Sequence, residues 1–136
     1  MSLELYMIGL VVQDMSRSLE FYRRLGLAIP EASAGKSHVQ IKMDSGVTLF
    51  LDANPSRWDP HFVWAHDTGP THPAHMKTVL EFYLKSRTTV DEKYAEMIGY
   101  GYQSHAAPYN NGFGMWFAMV NDPDGNTILL SGDLET

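Results

Sequence analysis

Glu81 stands in the run Val79-Leu80-Glu81-Phe82-Tyr83-Leu84, a carboxylate with hydrocarbon and aromatic neighbours on both sides. A carboxylate among such groups is costly to bury alone, so it needs a partner or a cationic ligand. It can therefore serve as a general base or anchor an amine, whereas Lys42, Lys85 or water would satisfy it in a purely structural role. Flat side chains supply a second kind of chemistry. Trp58, Phe62 and Trp64 fall in the middle of the chain, and Tyr109, Phe113 and Trp116 lie near its last hairpin. Such rings can close over a planar ligand at about 0.5–1.5 kcal/mol each beyond their area, more with a cation above them, or they can pack a core or an interface. Histidines cluster at His61, His66, His72 and His75, beside Asp59 and Asp67. The spacing of His72 and His75 would suit zinc on a helix, but Pro70 and Pro73 oppose that helix, so the segment reads as a solvated loop. His38 and His105 are further donors. Asp122-x-Asp124-x-Asn126 alternates oxygen ligands, yet the glycine and terminal glutamate of a calcium loop do not follow, and a turn explains it.

These residues must be carried by elements, and the elements repeat. Met7 to Val12 is an apolar run that passes at Asp14 into Ser16–Leu25, where apolar residues recur at helical spacing and Gly26 supplies the stop. After Leu27 to Ile29, Val39, Ile41 and Met43 alternate with polar residues, Asp44-Ser45-Gly46 turns, and Val47 to Leu51 runs back. The second copy opens at Val79–Leu84 and continues with Thr89-Val90-Asp91-Glu92, a capping-box spacing that predicts a helix over about Val90 to Ile98. Gly99 and Gly101 end it, a short strand follows near Tyr102 to Ser104, and Met115 to Asn121 returns through Asp122-Pro123-Asp124-Gly125-Asn126 into Thr127–Leu130. Both copies read as βαβββ. The fold class is α+β: one domain over residues 1–136, with modules at about 5–52 and 78–132 joined by a linker at about 53–77.

Alternation then sorts the strand residues. Val79, Glu81 and Tyr83 share one face, as do Thr48, Phe50 and Asp52, and Thr127, Leu129 and Ser131. His38, Gln40 and Lys42 share a face opposite Val39, Ile41 and Met43, the set a helix would cover. The result is an apolar floor with a few polar groups, as organic-ligand sites have.

Composition excludes several classes. A chain of 136 residues with 44% hydrophobic residues and no apolar run near a spanning length reads as soluble and globular. Its start lacks the basic-then-apolar order of an export signal, which points to the cytoplasm. With no cysteine there is neither a disulfide nor thiol catalysis. Net charge is −6, and ten scattered Lys and Arg make a poor nucleic-acid surface. Phosphate-cradling glycine loops and serine nucleophile elbows are absent.

The segments Ile8-Gly9-Leu10-Val11-Val12-Gln13-Asp14, Ser18-Leu19-Glu20-Phe21-Tyr22 and Leu25-Gly26-Leu27 resemble the first module of the vicinal oxygen chelate superfamily. Phe113-Gly114 and Asp122-Pro123-Asp124-Gly125-Asn126 resemble its closing hairpin. That superfamily includes glyoxalase I, extradiol dioxygenases, fosfomycin-resistance enzymes and bleomycin-resistance proteins. The resemblance implies paired βαβββ modules forming a curved mixed sheet around a cleft, usually in a homodimer. It also implies a divalent metal held by His and Glu from the first and last strands of each module, positions that fall here on Met7, Phe50, Val79 and Leu129. A thioether and three hydrocarbons offer a hard cation nothing, so neither metal nor any other cofactor is expected. Shifting each strand by two residues brings in Gly9, Asp52, Glu81 and Ser131, still without a histidine.

The expected function is that of a metal-free, dimeric, cytoplasmic protein similar to bleomycin-resistance proteins, holding a planar or cationic organic ligand. Its candidate ligand-binding residues are His38, Gln40, Phe50, Trp58, Trp64, Glu81, Tyr83, Tyr109, Phe113 and Trp116, with antibiotic resistance as one setting. The alternatives are a metal-dependent glyoxalase-type lyase or extradiol dioxygenase, and a metal-independent isomerase using Glu81 as base.

Overall fold

The computed structural model describes residues 3–57, 60 and 78–134. The chain divides into two compact units, residues 1–72 and 73–136. The architecture is the mixed α+β arrangement expected, with a three-stranded sheet in the first unit and a four-stranded sheet in the second.

The first unit runs β1 (Met7–Val11), α1 (Met15–Leu25), β2 (His38–Lys42) and β3 (Thr48–Asp52). Its strand order is β1-β3-β2, with β1 parallel and β2 antiparallel to the central β3. Helix α1 starts where Asp14 accepts the Arg17 N–H at 3.2 Å, and it stops at Gly26, whose φ of 127° suits glycine. Of its six buried residues, Met15, Ser18, Leu19, Tyr22 and Leu25 recur at three- and four-residue intervals, and Phe21 beside Tyr22 widens the buried face. Together with Leu10, Val39, Ile41, Leu49 and Leu51 they form the core of this unit. Leu27 to Ile29 stay outside the ladder, so among the described residues this unit has three strands where the second has four. Pro30 has no N–H to give a neighbouring strand, and the carbonyls of Ile29 and Pro30 go to the Arg23 guanidinium at 3.3 and 3.5 Å.

The second unit has the full βαβββ order: β4 (Val79–Ser86), α2 (Arg87–Gly99), β5 (Ser104–Asn110), β6 (Met115–Asn121) and β7 (Thr127–Asp133). The sheet order is β4-β7-β6-β5, with β4 parallel to β7 and the rest antiparallel. Helix α2 begins three residues before the expected Val90. Its N-cap is Ser86, whose Oγ accepts the Thr89 N–H at 3.1 Å. Thr89 thus sits inside the first turn, and strand β4 feeds the helix directly through Lys85, at a left-handed φ of 72°. Strand β5 begins at Ser104, where the expected short strand of Tyr102 to Ser104 was to end, and it contains Pro108, which an outer strand tolerates because one side of its ladder is unpaired. Val90 and Met97 of α2 and Ala118, Val120, Ile128 and Leu130 of the sheet form this unit's core. At the β6–β7 turn the Asp122 carboxylate accepts the N–H groups of Asp124 and Asn126 at 2.9 and 2.8 Å and the Asn126 side-chain amide at 2.9 Å. Those oxygens serve the turn, as the sequence reading required. Among the described residues no helix is long and apolar enough to cross a membrane.

Two glycines make opposite demands. A Cβ on Gly132 would lie 2.5 Å from the Ser86 carbonyl oxygen, a backbone atom at the α2 N-cap, whereas one on Gly9 would lie 2.0 Å from Cζ of Phe50, the far end of a side chain that can turn. Gly132→Ala is therefore expected to cost about 1–3 kcal/mol, and Gly9→Ala less. Urea unfolding of the two variants checks this, and a reversed order would refute the packing described for α2.

Candidate functional site

In the first sheet the register pairs His38 with Asp52, Gln40 with Phe50 and Lys42 with Thr48. Directly paired residues point to the same side. Opposite them Val39, Ile41, Leu49 and Leu51 are 0–4% exposed. The face carrying His38, Gln40, Lys42 and Phe50 is thus the one expected. His38 Nδ1 lies 2.8 Å from Asp52 Oδ2, and Asp52 Oδ1 accepts the Asn54 N–H at 2.7 Å. Asp52 is 1% exposed. Gln40 Nε2 approaches His38 Nε2 at 3.3 Å. The Phe50 ring stands 5.1 Å from the imidazole, tilted by 31°, and lies over Gly9 of β1, where there is no Cβ to obstruct it.

In the second sheet, register aligns Tyr83, Ser131, Phe117 and Tyr109 across β4, β7, β6 and β5, with Glu81, Leu129 and Met119 in the adjacent line. Helix α2 covers the other face. Two diagonal hydrogen bonds run from the first line: Ser131 Oγ donates to Glu81 Oε2 at 2.8 Å in the adjacent line, and the Tyr83 hydroxyl donates at 2.9 Å to Asp133 Oδ1, which lies beyond it on the other side. Ser131 is fully buried while Glu81 is exposed. Among the described residues no Lys, Arg or His forms an ion pair with Glu81. The hydrogen bond to Asp133, with partial burial and the nearby negative charge, raises the Tyr83 pKa above its usual value of 10.0. Tyr109 and Phe117 meet edge to face at 6.0 Å.

Trp116 does not belong with them. It pairs with Gly132 and points to the α2 side, where its Nε1 donates to Asp91 Oδ1 at 2.8 Å and the Arg87 guanidinium lies 3.7 Å over its ring. Both flanking groups come from the first turns of α2, so Trp116 fixes the helix to the sheet and leaves the candidate site. Phe113 lies in the β5–β6 turn, 91% exposed and beyond the strand lines. Trp58, Trp64, Phe62 and the linker histidines His61, His66, His72 and His75 lie outside the described residues. Phe117, Met119, Asp133 and the pairing of His38 with Asp52 were not picked out from sequence. The first three follow from counting across the Asp122–Asn126 turn and the last from counting across the Asp44–Gly46 turn, which fix the registers.

The four positions that correspond to family metal ligands do not fit a divalent ion. In the first sheet Met7 pairs with Thr48, and the Phe50 ring fills the space above Gly9. In the second, Leu129 is 7% and Val79 56% exposed, and neither offers an oxygen or nitrogen. Of the residues two places along, Asp52 is held by His38 and Asn54, and Glu81 by Ser131. Among the described residues no three His, Cys, Asp or Glu gather into a metal-holding group.

Comparison with known proteins accords with this architecture. A glyoxalase/bleomycin resistance protein/dioxygenase from Nocardioides superposes with a TM-score of 0.76 over 99% of this chain and 86% of its own, at 22% identity. A family enzyme of that description from Burkholderia phytofirmans PsJN gives 0.75 over 97% and 100%, at 17% identity. A glyoxalase-related enzyme from Fulvimarina pelagi gives 0.75 over 96% and 88%, also at 17%. At such identities the likeness speaks for the fold alone. No curated protein matches the sequence. The family model of the Glyoxalase/Bleomycin resistance protein/Dioxygenase superfamily matches residues 5–130. Since that match spans nearly the whole chain, the protein belongs to the Glyoxalase/Bleomycin resistance protein/Dioxygenase superfamily.

Proposed function

We propose that the protein captures a planar or cationic organic molecule on the face of its second sheet turned away from α2, without a metal and with no bond made or broken. The observation that carries this is Glu81: an exposed carboxylate with a hydroxyl as its polar partner, in a field of Leu129, Met119, Tyr83 and Phe117. A flat cation placed there gains ring contact and charge attraction together. Hydrocarbon and thioether side chains at the family's metal positions support the metal-free part of the reading. Sequestration of an aromatic antibiotic is one use such a surface would serve, and the resemblance to bleomycin-resistance proteins favours a cytoplasmic homodimer as the working form.

Calorimetric titration with an aromatic amine and its neutral isostere tests the proposal. Glu81→Gln is expected to weaken the amine by about two- to fivefold, the range of a solvent-exposed ion pair, and to leave the neutral compound unchanged. The difference should shrink at high ionic strength. Binding that vanishes with a chelator and returns with a divalent metal would overturn the reading in favour of a lyase or dioxygenase.

The hydrogen bond beside Glu81 gives a second check. Because the fold favours the neutral Tyr83 phenol, its contribution to stability is fully present below pH 10.0 and is lost as pH rises through the raised folded value. A tyrosinate absorbance titration of the wild type, less that of Tyr83→Phe, should show one of the seven tyrosines ionising late. Asp133→Asn should return it toward the ordinary range.

A further inference from the structure

We propose that His38 and Asp52 form a second site, on the first sheet, that takes the hydroxyl of a phenol-like ligand by hydrogen bonding to His38 Nε2. The inference does not rest on capture at Glu81, which lies on the other sheet and uses other residues.

The argument begins with the buried carboxylate. An ionised carboxylate offers only lone pairs, and Asp52 Oδ1 already accepts the Asn54 N–H at 2.7 Å. The contact of 2.8 Å between Asp52 Oδ2 and His38 Nδ1 therefore requires the imidazole hydrogen on Nδ1. In a neutral ring this leaves Nε2 with its lone pair, and the Gln40 amide nitrogen lies 3.3 Å away, where it can donate to that lone pair. At that distance the Gln40 contact is long for a hydrogen bond, and Gln40 is an exposed side chain that can yield its place.

What can take that place is an O–H. A hydroxyl can donate to Nε2 and at the same time accept from the Gln40 amide, which a pure donor or a pure acceptor cannot do. The wall beside it selects for a flat ring. Phe50 lies 5.1 Å from the imidazole at a tilt of 31°, and the missing Cβ of Gly9 lets the Phe50 ring lie down over β1. His38 side-chain exposure of 37% against 1% for Asp52 means that the imidazole reaches solvent while its orienting carboxylate does not. Asp52 is thus a positioning residue, and His38, Gln40 and Phe50 are the groups that would touch ligand. A charged neighbour on the same face, Lys42, stands two residues along from Gln40, opposite Thr48.

The experiment uses phenol and its methyl ether, anisole, as probes, read by calorimetry and by NMR of the ¹⁵N-labelled full chain. Wild type is expected to bind phenol about five- to tenfold more tightly than anisole, the worth of one hydrogen bond. Gln40→Leu, an exposed change that leaves the dyad intact, should bring the ratio down by about half or more. His38→Phe should bring it to about one. Long-range nitrogen–proton correlations should show the His38 Nδ1–H form in wild type and a mixture of both forms in Asp52→Asn, a signature that loss of stability alone would not produce. Equal affinity for the two probes, a dominant Nε2–H form in wild type, or resonance shifts that avoid His38, Gln40 and Phe50 would each overturn the proposal.

Discussion

Among the described residues each unit has one α-helix for one sheet, and that shortage decides what its strands can offer. A helix covers one face, so side chains on the strands divide by parity into a buried apolar set and a set left without a helical cover. In the second sheet Ala118, Val120, Ile128 and Leu130 are completely buried beneath α2, while Val79 and Tyr83 remain more than half exposed. No one-residue slip of register is tolerable, because it would drive Glu81 and Tyr83 beneath the helix and lift Leu80 and Phe82 out of it. The candidate groups are therefore held in place by the burial of their neighbours. The turn at Asp122–Asn126 adds to this, since its carboxylate hydrogen bonds lock the β6–β7 register from one end.

Sequence reading reached the faces and stopped short of the partners. Alternation placed His38, Gln40 and Phe50 together, and Glu81 with Tyr83, because period two needs no knowledge of distant contacts. Trp116 was misplaced because its proximity to the last hairpin was weighed and its parity was not: Asn121 opposite Thr127 puts Trp116 opposite Gly132, on the helix side. The small residue facing it is itself informative, since Gly132 clears the way for the Ser86 carbonyl and for Val90 of α2. The capping box at Thr89–Glu92 misled for a different reason. Ser86 offers a hydroxyl three residues earlier, and a strand that feeds its helix without a loop cannot be told from one that ends at Leu84 until the left-handed Lys85 is seen. Leu27 to Ile29 form no strand among the described residues, and the carbonyls of residues 29 and 30 are taken by Arg23, six and seven residues back, a side-chain contact that strand periodicity does not announce.

The two acidic residues of greatest interest show how burial assigns roles. Asp52 is 1% exposed, and a carboxylate removed from water to that degree must have its charge met by fixed donors. The Asn54 N–H and the His38 imidazole meet it, and the cost of separating either one commits Asp52 to orienting its neighbours. Glu81 stands in water with one hydroxyl bonded to it, and solvent can supply or surrender its remaining hydrogen bonds at little cost. A ligand that approaches Asp52 must break structure, whereas one that approaches Glu81 displaces only water. The same chemical group is thus a fixture on one sheet and an open contact on the other. The difference follows from the length of the side chain and its distance from the strand end: Asp52 is the last residue of β3, within reach of the next backbone N–H groups, and Glu81 is in mid-strand, where the backbone donors are already spent on the ladder.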